Sequence, residues 1–473
     1  MKIIYSIFSL TAFLVRPVSA LIINIPADYP TIQQGIDAAA VGDTVLVAPG
    51  EYVENPIIED KNVFLTSAQG PDGSTIKGAV YILGASVDTT CVLRGFRITK
   101  NVDDPFYDRR SLVQCEYSAP LIVGNIIEDN ETWKAGAGIN CFYYASPTIR
   151  ANLIRNNFDH YQAGGVLGQP GVIIERNIIS GNRAGFSNCE RGDAGGILAA
   201  AEVIRYNLII NNETVKWLCE TAGGGILRQS FPGARIYNNT IVNNSARRGS
   251  SHSNGGGIAF GVSIGDDAVI RNNIIAFNPY GGGVSASIVD SAWTGWDYNL
   301  VFGNDSANYI GIDPGPHDIQ ADPLLVDRFS GDYSLMPNSP CIDAGDPDFP
   351  LDPDGTRADI GAYYFDQTVG INDDGKPTGP YLFQLRQNYP NPFNSETIIS
   401  YYLPESAVVS LHIFSIAGHF VKTLANKESQ EAGEHQYTWG GIDKNGKEVS
   451  TGIYFYELYV NHFRQSKPMI LIK

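Results

Sequence analysis

Residues 149–157 have the sequence IRANLIRNN, residues 174–182 have IERNIISGN, and residues 204–212 have IRYNLIINN. Aliphatic residues occupy the first and sixth positions of each stretch, and asparagines occupy the fourth and ninth. The pattern recurs in eight copies at intervals of 25 to 34 residues. The other copies begin at Leu93, Ile122, Ile236, Ile270 and Trp296. Because such a short unit cannot bury its apolar face alone, neighbouring units must stack.

A second column, a glycine followed by an aliphatic residue, interleaves with the first. It consists of Gly138-Ile139, Gly165-Val166, Gly196-Ile197, Gly225-Ile226, Gly257-Ile258 and Gly283-Val284. Each repeat therefore carries at least two short strands and leaves no room for a helix, and its period is too short for a four-stranded propeller blade. The pattern predicts an all-β fold, a right-handed parallel β-helix of about ten rungs spaced about 4.8 Å apart. We expect the repeated asparagines to adopt left-handed turn conformations and to hydrogen-bond from rung to rung.

The start of the repeat region carries signs of a cap. Residues 31–40 have apolar residues at helical spacing, which predicts a short amphipathic helix over the first rung. Residues 25–30 and 42–52 resemble the N-terminal cap and first rung of the pectin-lyase-like superfamily, and the resemblance extends over residues 21–365. Near its end, three segments resemble the closing segment of exported bacterial β-helix proteins: 322–327, 331–335 and 339–345. Tyr364 stands where that segment usually has a glutamate.

The first twenty residues predict a secretory signal peptide. Lys2 precedes an apolar stretch of about 13 residues, too short to span a bilayer, and Val18-Ser19-Ala20 forms a small-residue cleavage site. We expect no integral membrane segment after cleavage.

The net charge of −17 argues against a nucleic acid partner. Residues from 384 onward carry equal numbers of acidic and basic side chains, so the whole excess lies before them.

The chain after the repeats predicts a second unit. Residues 366–383 have linker composition, and residues 384–473 alternate like the strands of a small C-terminal β-sandwich. The second unit resembles the type A sorting domain of the type IX secretion system. The resemblance rests on segments 387–394, 433–439, 445–446 and 452–456 and on the terminal Lys473. It implies that the secretion machinery is a partner, and that the protein is secreted or displayed on the outer-membrane surface after periplasmic transit.

Six cysteines in an exported chain permit disulfides. Cys189 and Cys219 each follow a repeat asparagine by seven residues, which places them on adjacent rungs at a spacing that a disulfide tolerates. Cys115 and Cys141 share a Cys-x-Tyr context and form a second candidate pair, with buried free thiols as an equal alternative.

No cofactor is predicted with certainty, but acidic residues that suit Ca²⁺ cluster near residue 350. They are Asp343, Asp346, Asp348, Asp352 and Asp354, and a loop of hydrogen-bonded aspartates is the alternative.

The segments before the Gly-Ile strands carry the candidate functional residues, because in the pectin-lyase-like superfamily these segments border the sugar-binding groove. Register places them along one edge of the coil. The candidate catalytic residues, which can transfer protons or neutralise a carboxylate, are Lys134, His160, Arg191, Asp193, Glu220 and His252. The candidate substrate-binding residues are Trp133, Tyr161, Trp217, Arg247 and Arg248. Ordinary solvated loops are the alternative interpretation.

Three functions fit this pattern. The first is binding of extracellular polysaccharide without established catalysis, because the signature motifs of polygalacturonases and pectate lyases are missing. Gly345 to Phe349 matches a pectin methylesterase motif only in part. The second is a polysaccharide lyase or glycosidase acting on uronic-acid polymers; Asp193 with Glu220 would form the carboxylate pair of a glycosidase. The third is a non-enzymatic structural role at the cell surface.

Overall fold

The structure is a computed structural model of the chain. It describes residues 20–104, 109–133, 136–185, 193–200, 203–215, 221–228, 233–247, 253–260, 268–286, 294–329, 331–367, 384–386, 388–403, 406–415, 420–460 and 463–472. The predicted signal peptide, apart from Ala20, and most of the predicted linker lie outside these ranges.

Three parallel sheets run the length of the repeat region. The first sheet contains Ile22–Ile25, Thr44–Val47, Phe64–Ser67, Val92–Arg94, Leu121–Val123, Thr148–Arg150, Ile173–Glu175, Val203–Arg205, Arg235–Tyr237, Val269–Arg271 and Trp296–Asp297. The second contains Gly50–Tyr52, Ser74–Lys77, Arg97–Thr99, Ile126–Glu128, Leu153–Arg155, Ile178–Ser180, Leu208–Ile210, Thr240–Val242, Ile274–Ala276 and Leu300–Phe302. The third contains Ile57–Glu59, Val80–Leu83, Val113–Glu116, Ile139–Phe142, Val166–Gly168, Ile197–Ala199, Ile226–Arg228, Ile258–Phe260, Val284–Ala286 and Tyr309–Ile310.

The chain visits the three sheets in turn, and each circuit adds one rung to every sheet. Equivalent residues of successive rungs pair directly; Ile127, Ile154 and Ile179 are one such column. These side chains are fully buried and form a continuous aliphatic core. The predicted parallel β-helix is therefore confirmed.

Two asparagine ladders connect the rungs at the turns that flank the second sheet. In the first ladder, Asn152 Nδ2 donates to Asn177 Oδ1 (3.1 Å) and also to the carbonyl of Ile122 (2.9 Å). In the second, Asn157 Nδ2 donates to Asn182 Oδ1 (3.0 Å). The first ladder comprises Asn125, Asn152, Asn177, Asn207, Asn239, Asn273 and Asn299, and Asp318 accepts from Asn299 N–H at its end (2.8 Å). The predicted hydrogen bonding between rungs is confirmed.

The predicted left-handed conformation of these asparagines is wrong by one position. The residue before each ladder asparagine has a positive φ, for example Ala151 (51°) before Asn152 and Arg176 (56°) before Asn177. The left-handed residue turns the corner. The following asparagine can then point its amide inward, where the side chain bonds to the rungs on either side.

A short helix closes the first rung, as predicted. It spans Ile32–Ala38 and buries Ile32 and Ile36 against the first strands. Glu54 accepts hydrogen bonds from the N–H groups of Ile32 and Gln33 (2.9 Å each), while Lys61 Nζ donates to the carbonyl of Ile36 (2.5 Å). An acid at the N-terminus and a cation at the C-terminus both complement the helix dipole.

The segment after the last rung folds back along the outside of the coil. An antiparallel pair, Leu325–Asp327 with Asp332–Leu335, begins this return. Cys341 and Ile360 then pack against residues on the outer face of the second sheet such as Ile274. The segment that resembles a closing piece thus shields one face of several rungs.

The described cysteines are buried free thiols: Cys91, Cys115, Cys141 and Cys341. Cys115 and Cys141 occupy paired positions on adjacent rungs, so the predicted stacking is confirmed, but the predicted disulfide between them is not formed. Burial raises the pKa of Cys141 to about 12, which leaves almost no reactive thiolate at neutral pH. The other predicted pair, Cys189 and Cys219, lies outside the described residues.

The C-terminal region forms two antiparallel sheets around a shared core, as the predicted β-sandwich requires. One sheet contains Gln384–Leu385, Thr397–Leu403 and Gly433–Trp439. The other contains Ala407–Ser415, Phe420–Gln430, Gly452–Val460 and Phe463–Leu471. Tyr401, Trp439 and Tyr456 are fully buried between them. Within the described ranges, no helix is both long and apolar enough to cross a lipid bilayer.

Candidate functional site

A short side sheet lies between the second and third sheets in five successive rungs. Its strands are Glu131–Thr132, Phe158–Asp159, Arg183–Ala184, Glu213–Val215 and Ser245–Arg247. Each strand begins directly after an asparagine of the second ladder, so residues at equal distances from that asparagine pair in columns. The middle column is buried: Thr132, Asp159, Ala184, Thr214 and Ala246. The side chains on either side of it form the candidate site.

Trp133 and His160 occupy equivalent positions, three residues after Asn130 and Asn157. Their rings stack with centroids 3.7 Å apart and planes 7° apart. His160 is buried, and its Nε2 lies 3.0 Å from Glu131 Oε1. Trp133 remains 45% exposed. The buried imidazole therefore supports one face of an indole ring that is open to solvent.

Alternating aromatic and charged side chains continue along the neighbouring column. The ring of Phe158 lies 4.2 Å from that of His160, and the Arg183 guanidinium lies 5.2 Å from the centroid of Phe158. Arg183 Nε also lies 3.2 Å from Glu213 Oε2. This surface offers flat apolar rings beside hydrogen-bonding groups of both charges.

Asp159 organises the turn beneath these rings. Its Oδ2 accepts hydrogen bonds from the N–H groups of Gly136 (2.6 Å) and Ala163 (2.9 Å), and its Oδ1 accepts from the N–H of Tyr161 (2.7 Å). The carboxyl is fully buried. Burial raises the pKa of Asp159 to about 6, although the backbone donors oppose this shift. Tyr161, which begins the turn, is 44% exposed.

Asp159 should make stability depend on pH. Its pKa of about 6 in the folded chain lies above the value near 3.9 of an unfolded aspartate, so folding favours the protonated form. Relative to Asp159→Asn, the wild-type chain should lose about 2 kcal/mol of stability as the pH rises from 4 to 7. Urea denaturation of both chains across this range measures the difference. A constant difference between them would contradict the prediction.

The structure brings Trp133, His160 and Tyr161 together but describes few of the other predicted site residues. Lys134, Arg191, Trp217, Glu220, Arg248 and His252 lie outside the described residues, as does the side chain of Arg247. The backbone of Arg247 lies three rungs beyond His160, or about 14 Å along the axis. Asp193 is fully buried in the strand Asp193–Ala194. Catalytic roles for this set stay a prediction.

Sequence reasoning missed several residues of the site. Glu131, Phe158 and Arg183 each directly follow an asparagine of the second ladder, and Asp159 comes one residue later. Counting from that asparagine would have found the whole column. The sequence interpretation counted backward from the glycine column, and the variable loops before those glycines obscure the register.

Four of the five predicted Ca²⁺ ligands bond through their carboxylate oxygens to other groups of the protein, and Asp348 is exposed. Asp346 pairs with Arg271, and its Oδ1 accepts from Asp348 N–H (3.0 Å). Asp354 Oδ1 accepts from Thr356 N–H (3.0 Å), and Asp352 Oδ2 accepts from the N–H of Asp359 (2.8 Å). Asp343 Oδ2 accepts from Gln367 Nε2 (2.8 Å). Among the described residues, no group of three or more His, Cys, Asp or Glu side chains is placed to hold a metal ion, so the Ca²⁺ site has no support there.

Two family models match separate parts of the chain. The family described as "Right handed beta helix region" matches residues 66–241, and the "FlgD Ig-like domain" matches residues 387–462. The first match agrees with the predicted handedness of the coil, and the second agrees with a C-terminal sandwich. Among curated proteins, none matches this sequence.

Solved structures show distant likeness only. Latent dimeric PorU from Porphyromonas gingivalis is 20% identical over 19% of this chain and 9% of its own, with a TM-score of 0.17. A mutant of the PL6 family alginate lyase AlyGC is 13% identical over 80% of this chain and 61% of its own, with a TM-score of 0.25. The chain thus spans less than two thirds of either protein, and likeness at this level identifies no substrate or activity.

Proposed function

We propose that this chain is an exported β-helix protein that binds extracellular polysaccharide along its side sheet, with Trp133 as the central contact. The observation that carries the proposal is an exposed indole ring held flat by the buried ring of His160. Aromatic rings bind the apolar faces of sugars, and the neighbouring Glu131 and Arg183 can hydrogen-bond sugar hydroxyls. A rigidly supported ring loses little conformational entropy on binding.

Residues 384–473 would deliver the protein as a type IX sorting domain. The resemblance of the Asn-Tyr-Pro-Asn-Pro-Phe-Asn motif to such domains supports this proposal. Within the fold, Asn388 of this motif is buried and its N–H donates to Tyr456 Oη (2.8 Å). The motif therefore helps to build the sandwich. In a bacterium with type IX secretion, the full chain should reach the surface or medium, and a chain ending at Phe365 should remain in the periplasm. Equal export of both would refute this role.

Trp133→Ala should weaken polysaccharide binding about tenfold, because it removes a stacking surface worth roughly 1.5 kcal/mol. Retardation of the mature chain in native gels containing neutral or uronic-acid polysaccharides measures this affinity. Phe329→Ala is the matched control, since Phe329 is 85% exposed and lies outside the side sheet. Wild-type retardation that Trp133→Ala leaves unchanged would exclude this site.

The same incubations separate binding from catalysis. Unsaturated products, followed by their absorbance, would establish a lyase, and new reducing ends alone would establish a glycosidase. Either result would replace simple binding with the enzymatic alternative and direct substitutions to His160 and Asp193. If no glycan retards the wild-type chain and none yields a product, polysaccharide binding is refuted and a structural surface role is favoured.

A further inference from the structure

Three exposed tyrosines form a second aromatic surface at the opposite edge of the third sheet. We call this surface, made of Tyr117, Tyr143 and Tyr144, the tyrosine surface. Tyr117 and Tyr143 follow paired strands on adjacent rungs, and their rings stack with centroids 5.4 Å apart and planes 8° apart. The exposed fractions are 52%, 56% and 86% in chain order. None of the three contributes to the buried core.

The backbone conformation of Tyr143 and Tyr144 in the tyrosine surface is unfavourable for tyrosine. Ala145 N–H donates to the carbonyl of Phe142 (3.0 Å), which closes a four-residue turn. Tyr143 and Tyr144 are its central residues, with φ of 47° and 63°. Positive φ at both central positions defines a type I′ turn, which strongly prefers asparagine and glycine. Folding alone would select those residues, so the exposed tyrosines point to a function.

The preceding rung carries a glycine in the column of Tyr117 and Tyr143. Gly84 occupies the position equivalent to Tyr117, and its N–H donates to the carbonyl of Glu116 (3.0 Å). A Cβ at Gly84 would overlap Asp60 Oδ1, so the Asp60 carboxylate occupies the space beside this glycine and no third ring extends the stack there. Gln114 Nε2 donates to the carboxylate of Glu116 within the strand Val113–Glu116 that leads to Tyr117, so polar groups border the stack.

We infer that the tyrosine surface is a second carbohydrate-binding surface, which takes a pyranose ring against the exposed rings of Tyr117 and Tyr144. Flat phenol rings beside amide and carboxylate groups match the alternating C–H and hydroxyl faces of a sugar. This inference rests on the proposed polysaccharide binding. Only the strand Ile139–Phe142, about 13 Å long, separates this edge of the sheet from the edge near Trp133. One glycan chain can therefore contact both surfaces and gain affinity by avidity.

The test replaces both turn tyrosines by the residues that the turn prefers, Tyr143→Asn with Tyr144→Gly. The double variant should melt roughly 2 to 4 °C higher than the wild-type chain, because backbone strain is relieved. Its retardation in polysaccharide gels should be about tenfold weaker. Phe329→Ala again serves as the control and should bind like the wild-type chain.

The outcomes distinguish this inference from the function on which it rests. Weaker binding by a double variant of equal or greater stability supports the second surface. A double variant that binds like the wild-type chain, while Trp133→Ala binds weakly, overturns the second surface alone. A wild-type chain that binds no polysaccharide overturns both.

Discussion

Replacing Asn182 by alanine should lower the free energy of unfolding of the β-helix by about 5 kcal/mol. The side chain is fully buried and makes four hydrogen bonds. Its Nδ2 donates to the carbonyl of Ile154 (2.9 Å) and to Asn212 Oδ1 (3.0 Å). Its Oδ1 accepts from the N–H (3.1 Å) and the Nδ2 (3.0 Å) of Asn157. Alanine leaves these buried partners unpaired, and each unpaired polar group costs about 1 to 3 kcal/mol.

Urea denaturation followed by far-ultraviolet circular dichroism measures this loss. Asn24→Ala is the control, because Asn24 is exposed on the first strand and its amide donates to the exposed Asp28 (3.0 Å). We expect the control to change stability by less than about 1 kcal/mol. Similar losses in both variants would show that the ladder does not hold adjacent rungs together.

Gly196→Ala should destabilise the coil by about 4 kcal/mol. A Cβ at this position would lie 2.5 Å from the carbonyl oxygen of Gly225 on the next rung and 3.3 Å from the Asn212 side chain. A backbone oxygen cannot move away without separating the rungs. The same contact recurs down the column, since a Cβ on Gly165 would lie 2.5 Å from the oxygen of Gly196.

Thermal denaturation of Gly196→Ala beside Gly440→Ala tests the steric argument. Gly440 has one atom within 4 Å of its would-be Cβ, the carbonyl oxygen of Ser395 at 3.7 Å, so alanine fits there. The control should melt within a degree or two of the wild-type chain. Equal melting temperatures for both variants would mean that the rungs can separate at little cost.

The repeat pattern was sufficient to predict the coil and the bonding between rungs, and the helical spacing of apolar residues in 31–40 predicted the helix over the first rung. It placed the left-handed turn residues one position too late, because a sequence column does not reveal which way an amide points. The glycine column was visible as a pattern, but its cause was not. That cause is the close approach of the carbonyl oxygen on the next rung, which exists only once the rungs are stacked.

The candidate site was predicted only in part, because its geometry also depends on contacts that exist only once the rungs are stacked. The positions of Trp133, His160 and Tyr161 follow from the period, which places them at one edge of the coil. The depth of Asp159 and the coplanar stacking of Trp133 on His160 depend on contacts between residues about 27 positions apart. Such contacts arise from the fold and have no local signature.

The sequence by itself determined a stacked coil and an acidic repeat region with a C-terminal sandwich, because periodicity and composition are local properties that survive in one dimension. The tertiary structure alone decided which side chains meet. It exposed Trp133 above a buried imidazole, kept Cys115 and Cys141 as stacked free thiols, and joined Tyr117 to Tyr143. Each of these arrangements results from the spacing of about 4.8 Å between successive rungs, which brings distant residues into van der Waals contact.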